Sequence, residues 1–377
     1  MKLSPPIPLL RKTCTSAPRM SFWVNTLSDF QTRSKATLLN YGPRKNPSIL
    51  SSPELSLPHR AKYNLDVFCK SSFSTGSIPT TPTKPKIHSL FEETTGTWQY
   101  LIADPSTLSA VIIDPVLNFD SVTRAITFES ANSLLSLVKH HRYEVVKILE
   151  THIHADHITA ASYLQNSLAV EQTHRPQVCI GKRIEQVQDM FGHRYGLSPH
   201  EYQGVFDHLF DDDELFYIGD VEAQAVHLPG HTPDHLGYKI GDNIFCGDSV
   251  FHADIGSARC DFPGGSAVSL YKSGRKLLSF PDHVKIWSGH DYPLQGRIEP
   301  VPWLSVQEQR WRNKHLMDGT TEAEFVALRQ DRDSKLAAPK LLDQSLQINI
   351  RAGRLPEQSQ TGQRMLYLPL KLDSPAW

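Results

Sequence analysis

The segment Thr151-His152-Ile153-His154-Ala155-Asp156-His157 constrains this chain more than any other feature. It follows the apolar run Val145-Val146-Lys147-Ile148-Leu149 and sets three imidazoles and a carboxylate within six residues. Such a set suits an apolar core badly. Neutral imidazole nitrogen and carboxylate oxygen are good ligands for zinc or non-haem iron. An extended segment leaving a strand aims alternate side chains one way, which suits His152 and His154 to one ion. A turn after it lets Asp156 and His157 face a second position. The competing reading is a polar loop with chance histidines, and three distant motifs argue against it. His231 lies in Leu228-Pro229-Gly230-His231-Thr232-Pro233-Asp234-His235, Asp248 in Phe245-Cys246-Gly247-Asp248-Ser249, and His290 in Trp287-Ser288-Gly289-His290-Asp291-Tyr292. Each follows an apolar stretch and lies beside a glycine, as ligands at strand ends do where backbones approach closely. Alone, Gly-His is an ordinary loop and Gly-Asp an ordinary turn; their order after the first cluster carries the signal.

Periodicity places these motifs. Residues 98–103 and 109–114 read as strands joined by a Pro/Ser turn. Residues 130–141 are helical, with Leu134, Leu135, Val138 and His141 on one face. A buried strand over 144–149 leads into the histidine cluster. A helix is expected over 184–195 and strands over 222–228 and 236–246, the latter a hairpin turned at Gly241-Asp242-Asn243. Residues 267–280 are helical, and 284–287 form the last strand before His290. This alternation argues for a layered α/β domain.

The chain has 377 residues, 39% of them hydrophobic, enough for one large domain plus extra segments. No run of about 18 apolar residues occurs, so no transmembrane helix and no membrane partner are expected. Cys14, Cys69, Cys179, Cys246 and Cys260 form no C-x-x-C pair, which favours a reducing compartment. Cys246 and Cys260 lie beside the metal motifs, as reactive thiols or as small buried hydrophobes. The net charge of -1 is unevenly spread: residues 1–86 hold 13 Lys/Arg against Asp29, Glu54 and Asp66. This Ser/Thr/Pro-rich basic head reads as a disordered leader, with a mitochondrial transit segment favoured over a plain tail or a cytoplasmic protein. No basic fold or aromatic ladder accompanies the charge, so nucleic acid is not an expected partner. Pro79-Thr80-Thr81-Pro82-Thr83-Lys84-Pro85 reads as a stiff linker.

With these motifs in this order, the chain resembles the metallo-β-lactamase superfamily. Its five motifs map onto Asp114, the 152–157 cluster, His231, Asp248 and His290. The resemblance implies an α+β fold, an αββα sandwich, over residues 87–300, with the metal site at one edge between the sheets. Residues 301–377 are then a C-terminal extension packing on that domain. The context Gly256-Ser257-Ala258-Arg259-Cys260-Asp261-Phe262-Pro263-Gly264-Gly265, with Gly289-His290-Asp291-Tyr292, looks like the persulfide dioxygenase (sulfur dioxygenase) branch. The segment 306–356, with Asn349-Ile350-Arg351-Ala352-Gly353-Arg354, resembles the C-terminal part of a bacterial and fungal subgroup.

The branch implies oxidation of glutathione persulfide by O2 to sulfite and glutathione, in hydrogen sulfide metabolism. One Fe(II) would be held by His152, His231 and Asp248, a two-His-one-carboxylate triad with open positions. His154, Asp156, His157 and His290 would orient the ligands, with His235 and Asp261 as weaker candidates. Arg259 and Tyr292 match residues near the glutathione site, and a homodimer is implied. The family's arginine after an Asn-Pro pair is replaced by Asn313-Lys314-His315, where Lys314 or His315 would have to substitute. The rival reading is a glyoxalase II-like thioester hydrolase with two zinc ions. There His152, His154 and His231 hold one ion, Asp156, His157 and His290 the other, and Asp248 bridges. A silent binding module is a third reading, disfavoured because no ligand is missing.

Overall fold

The computed structural model describes residues 84–294, 296–370 and 372 of the 377. The expected leader, with Cys14 and Cys69, lies outside the described residues except at its end, where Lys86 already begins a strand.

In chain order the elements begin with β1 (Lys86–Glu92), β2 (Thr97–Ala103), β3 (Ser109–Ile113), β4 (Val116–Phe119), β5 (Ile126–Thr127) and α1 (Glu129–His141). There follow β6 (Glu144–Leu149), β7 (Ile158–Thr159), α2 (Ala161–Glu171), β8 (Gln177–Gly181), α3 (Ile184–Tyr195) and β9 (His208–Phe210). The second half contains β10 (Leu215–Ile218), β11 (Val221–His227), β12 (Leu236–Ile240), β13 (Asn243–Phe245), α4 (Ala267–Leu277) and β14 (Lys285–Trp287). It closes with β15 (Trp303–Ser305), α5 (Val306–Arg312), α6 (Glu322–Asp333) and α7 (Leu342–Asn349).

Two six-stranded sheets form, in the orders β1-β2-β3-β6-β8-β9 and β10-β11-β12-β13-β14-β15. Side-chain alternation along β2 explains how they pack. Trp98, Tyr100 and Ile102 join an inner core with Tyr238, Phe245 and Trp287 of the second sheet. Leu101 and Ala103, on the opposite face, pack with Leu134 and Val138 of α1 and Leu164 and Leu168 of α2. On the far side, Leu270 and Leu277 of α4 and Phe325 of α6 cover Ile244 and Ile286. Each fully buried large apolar side chain contributes about 1.5–3 kcal/mol. The layers run helix, sheet, sheet, helix, the αββα sandwich expected.

Two differences from the expected elements have clear causes. Helix α4 ends at Leu277 rather than Phe280, because Pro281 disfavours helical backbone in the residue before it. Strand β15 pairs antiparallel with β14, so the second sheet continues past residue 300. Beyond it, Val306 of α5 packs beneath the second sheet, while Leu346, Ile348 and Ile350 join the core under α1 to α3.

Candidate metal centre

The five motifs meet at one rim of the sandwich because each follows the end of a strand. Asp114, just past β3, has φ 48°, a left-handed backbone that Asp tolerates better than most residues. Its Oδ1 accepts the Thr151 backbone N–H at 2.8 Å and its Oδ2 the Thr151 hydroxyl at 2.8 Å. Asp114 thus fixes the start of the histidine loop. Strands β13 and β14 run parallel and adjacent, so Asp248 and His290 leave the sheet side by side. Gly289 permits the approach: a Cβ there would lie 2.5 Å from Asp248 Oδ1. The two sheets are stitched at this rim by Leu236 N–H to Thr151 O at 2.7 Å and Trp98 N–H to Gly289 O at 2.8 Å.

Hydrogen bonds set which ring nitrogen each histidine presents. His231 Nδ1 donates to the Arg259 carbonyl at 2.7 Å, which leaves Nε2 as a lone-pair donor 3.7 Å from Asp248 Oδ2. His152 Nδ1 lies 3.0 Å from the Thr151 hydroxyl oxygen, and its buried Nε2 has no protein partner. His290 Nδ1 donates to Gly96 O at 3.2 Å, leaving Nε2 3.1 Å from Asp156 Oδ2 and 3.6 Å from Asp248 Oδ2. His157 Nδ1 is 3.4 Å from Asp156, and its Nε2 is buried and unpaired. His154 Nε2 donates to Asp114 Oδ1 at 3.2 Å and lies 3.3 Å from Glu150 Oε2, with Nδ1 unpaired.

Four buried lone-pair sites (His152 Nε2, His154 Nδ1, His157 Nε2 and Asp248 Oδ1) therefore lack any partner at one rim. Buried polar atoms are nearly always satisfied, so a cluster of orphans fits a bound cation. The ligand atoms of His152, His231 and Asp248 lie within 4.8 Å of one another. His154 instead groups with Asp156 and His157, or with Asp114 and Glu150. Burial and the rings of His154, His235, His231 and His157 hold His152 well below the usual imidazole range, in its neutral ligating form. Burial also lowers His157, helped by His154. At His290 burial is outweighed by the carboxylates of Asp248 and Asp156, which raise it and mark the field as one that attracts positive charge.

Next to these ligands opens a cavity of about 700 Å³, with Asp156, His157 and Tyr292 in its lining. Tyr292 thus lines the cavity beside the convergent histidines. Arg259 does not line this cavity: its guanidinium is bound by both oxygens of Asp261 at 2.5 Å and by the Ala337 carbonyl at 2.9 Å. It serves the centre through its backbone, which orients His231. Asp261 is correspondingly occupied by Arg259. His315 is buried, with Nδ1 accepting the Ser257 N–H at 3.0 Å, and Lys314 lines a different depression. Neither replaces the family's missing arginine. His235 Nε2 accepts the Asp248 N–H at 3.0 Å and so holds that ligand's backbone. Burial pushes the Cys246 and Cys260 thiols up to about 12, which favours packing over reactivity at both.

Two residues outside the motifs complete the centre. Buried Glu150 accepts the Thr159 hydroxyl and sets its other oxygen 3.3 Å from the His154 ring. Asn349, at the end of α7, donates to the carbonyls of His154 and His157 at 2.8 Å each and accepts the Thr159 N–H at 3.0 Å. It clamps the histidine loop from almost two hundred residues away, a role that its segment's resemblance to a bacterial and fungal subgroup does not reveal. In Asn349→Ala these three groups lose their partners in a buried site, at an expected cost of about 1–3 kcal/mol in unfolding free energy. Metal retention should also fall by about 10-fold or more. Denaturant unfolding and chelator competition read the two effects; wild-type behaviour in both would contradict the assignment.

The sequence profile of the metallo-beta-lactamase superfamily matches residues 94–290. "Glyoxylase B2" of Dictyostelium discoideum is 40% identical over 291 residues, covering 76% of this chain and 97% of that protein. The mitochondrial persulfide dioxygenase ETHE1 of Bos taurus is 27% identical over 71% of this chain and 88% of its own length. Among solved structures, ETHE1 from Myxococcus xanthus matches with TM-score 0.57 and 27% identity, over 71% of this chain and all of that one. Profile, relatives, fold and donor set agree: this chain belongs to the metallo-beta-lactamase superfamily.

Proposed function

We propose that the protein is a persulfide dioxygenase that converts glutathione persulfide, O2 and water to glutathione and sulfite at a single Fe(II). One observation carries this reading. Among the donor groups at this rim, His152, His231 and Asp248 converge as two histidines and one carboxylate, while the ligand atom of His154 groups with Asp156 and His157 or with Asp114 and Glu150. This set suits the facial triad of non-haem iron and supports it over the three-histidine set of a dinuclear hydrolase. When bound, Fe(II) supplies open positions for sulfur and O2 and the redox capacity that zinc lacks. The chain's own residues do the rest. His290 and Asp156 set a polar, anionic wall beside the triad, and Arg259 and Thr151 fix the tautomers of His231 and His152. The cavity admits the thiol carrier past Tyr292. O2 takes up the electrons released as the outer sulfur becomes sulfite, and water supplies the third oxygen. The similarity to the persulfide dioxygenase ETHE1, which is mitochondrial in Bos taurus, supports the reaction and a mitochondrial location.

A second reading rests on a specific feature. His154, Asp156 and His157 form a further donor group, and His290 Nε2 stands beside it, 3.1 Å from Asp156 Oδ2 and 3.6 Å from Asp248 Oδ2. This is where a dinuclear glutathione-thioester hydrolase would hold its second ion, and "Glyoxylase B2" is the more similar relative. Metal analysis separates the two. About one iron per chain with no thioester hydrolysis is expected; two metals per chain with rapid thioester hydrolysis would replace the dioxygenase reading.

A further inference from the structure

Among the described residues, the cavity beside the metal centre has one Lys or Arg in its lining, Lys340. The acids that share the lining are engaged by the protein. Glu92 accepts from Thr94 N–H, Thr95 N–H, the Thr95 hydroxyl and the Asn118 amide. Asp120 accepts from the N–H groups of Val122 and Thr123. Asp156 faces His290 and His157. Lys340, by contrast, makes no salt bridge among the described residues. It is the charged group of the lining left for a ligand.

Its position is tied to the metal centre. Leu341, the next residue, is 8% exposed and lines the same cavity. Helix α7 begins at Leu342 and ends at Asn349, whose amide holds the carbonyls of His154 and His157. One short helix thus connects the cation to the histidine loop. A cavity of this size suits a small peptide-like ligand. Its acidic walls disfavour a polyanion, and its single ammonium favours one carboxylate.

We propose that Lys340 binds a carboxylate of the thiol that carries the reacting sulfur, selecting an anionic, peptide-like carrier such as glutathione over a neutral thiol. The inference takes its carrier from the reaction proposed above, but its test needs no turnover, so the two can fail separately. S-methylglutathione and its diethyl ester are titrated calorimetrically into the full-length, metal-loaded protein. The wild type is expected to prefer the free acid by about tenfold. Lys340→Gln should bind the acid about tenfold more weakly and lose the preference, and Lys340→Arg should keep it. The side chain is exposed, so folding is undisturbed by either change. Wild-type affinity for the acid in Lys340→Gln, or no acid preference in the wild type, would overturn the assignment. An intact preference without O2 uptake would overturn the dioxygenase reading and leave Lys340 as the carboxylate anchor.

Discussion

Asp248→Asn is expected to reduce O2-dependent turnover by well over ~100-fold and to lower metal occupancy. Residues that merely orient a metal ligand cost about 10–100-fold when changed, and a direct ligand costs more. Asp248 is the one carboxylate of the converging triad. Its Oδ1 is buried without a partner, and its Oδ2 lies 3.7 Å from His231 Nε2 and 3.6 Å from His290 Nε2. The asparagine amide is nearly isosteric, so the fold should persist. It carries no charge, and its NH2 would compete for the lone pairs that the histidines present to the cation. Asp261→Asn is the control. That carboxylate is occupied by Arg259, is part-exposed, and should cost activity far less. Comparable losses in the two variants, or full iron retention in Asp248→Asn, would contradict the triad.

Gly230→Ala should destabilise the protein by about 3 kcal/mol or more. Gly230 has φ 141°, where side chains are strained, and a Cβ would lie 2.3 Å from Leu270 N and 2.4 Å from Leu270 Cα. These are backbone atoms of α4, fully buried at that point, and they cannot step aside as the end of a side chain would. Relief would have to come from moving the turn, which carries the ligand His231. Metal loss should therefore accompany the lower stability. Gly196→Ala gives the comparison: φ is 62°, but nothing lies within 4 Å of the added carbon. Its cost should stay near 1 kcal/mol, the backbone term alone. Denaturant midpoints measure both, and equal midpoints would contradict the packing argument.

The residues that converge at the rim are legible in the sequence for a physical reason. Metal chemistry needs particular residue types, and strand ends place them beside glycines and after apolar runs, so local pattern and placement coincide at 152–157, His231, Asp248 and His290. Strands β2, β3 and β6, like the β12–β13 hairpin, were legible because their alternation or burial is continuous. Helix α2 carries only a weak sequence signal. Ala160 precedes it without a side-chain cap, and Val170 on its surface blurs the apolar stripe. Helices α5 and α6 open with capping boxes, Ser305 with Glu308 and Thr321 with Glu324, a signal present in the sequence and available to such a reading. Lys340 has no comparable mark, and the segment of Asn349 is marked only by its resemblance to a subgroup, with no role attached. Each is an ordinary residue whose role arises only because α7 returns to the histidine loop. Arg259 shows the converse: its motif context pointed to substrate, yet Asp261, two residues on, occupies its guanidinium.

The central claim is that the site oxidises a persulfide with O2. Oxygen uptake and sulfite release by the iron-loaded protein on addition of glutathione persulfide test it most directly. The expected result is about one sulfite per O2 consumed, abolished when the iron is removed. No uptake from a fully iron-loaded protein would contradict the claim.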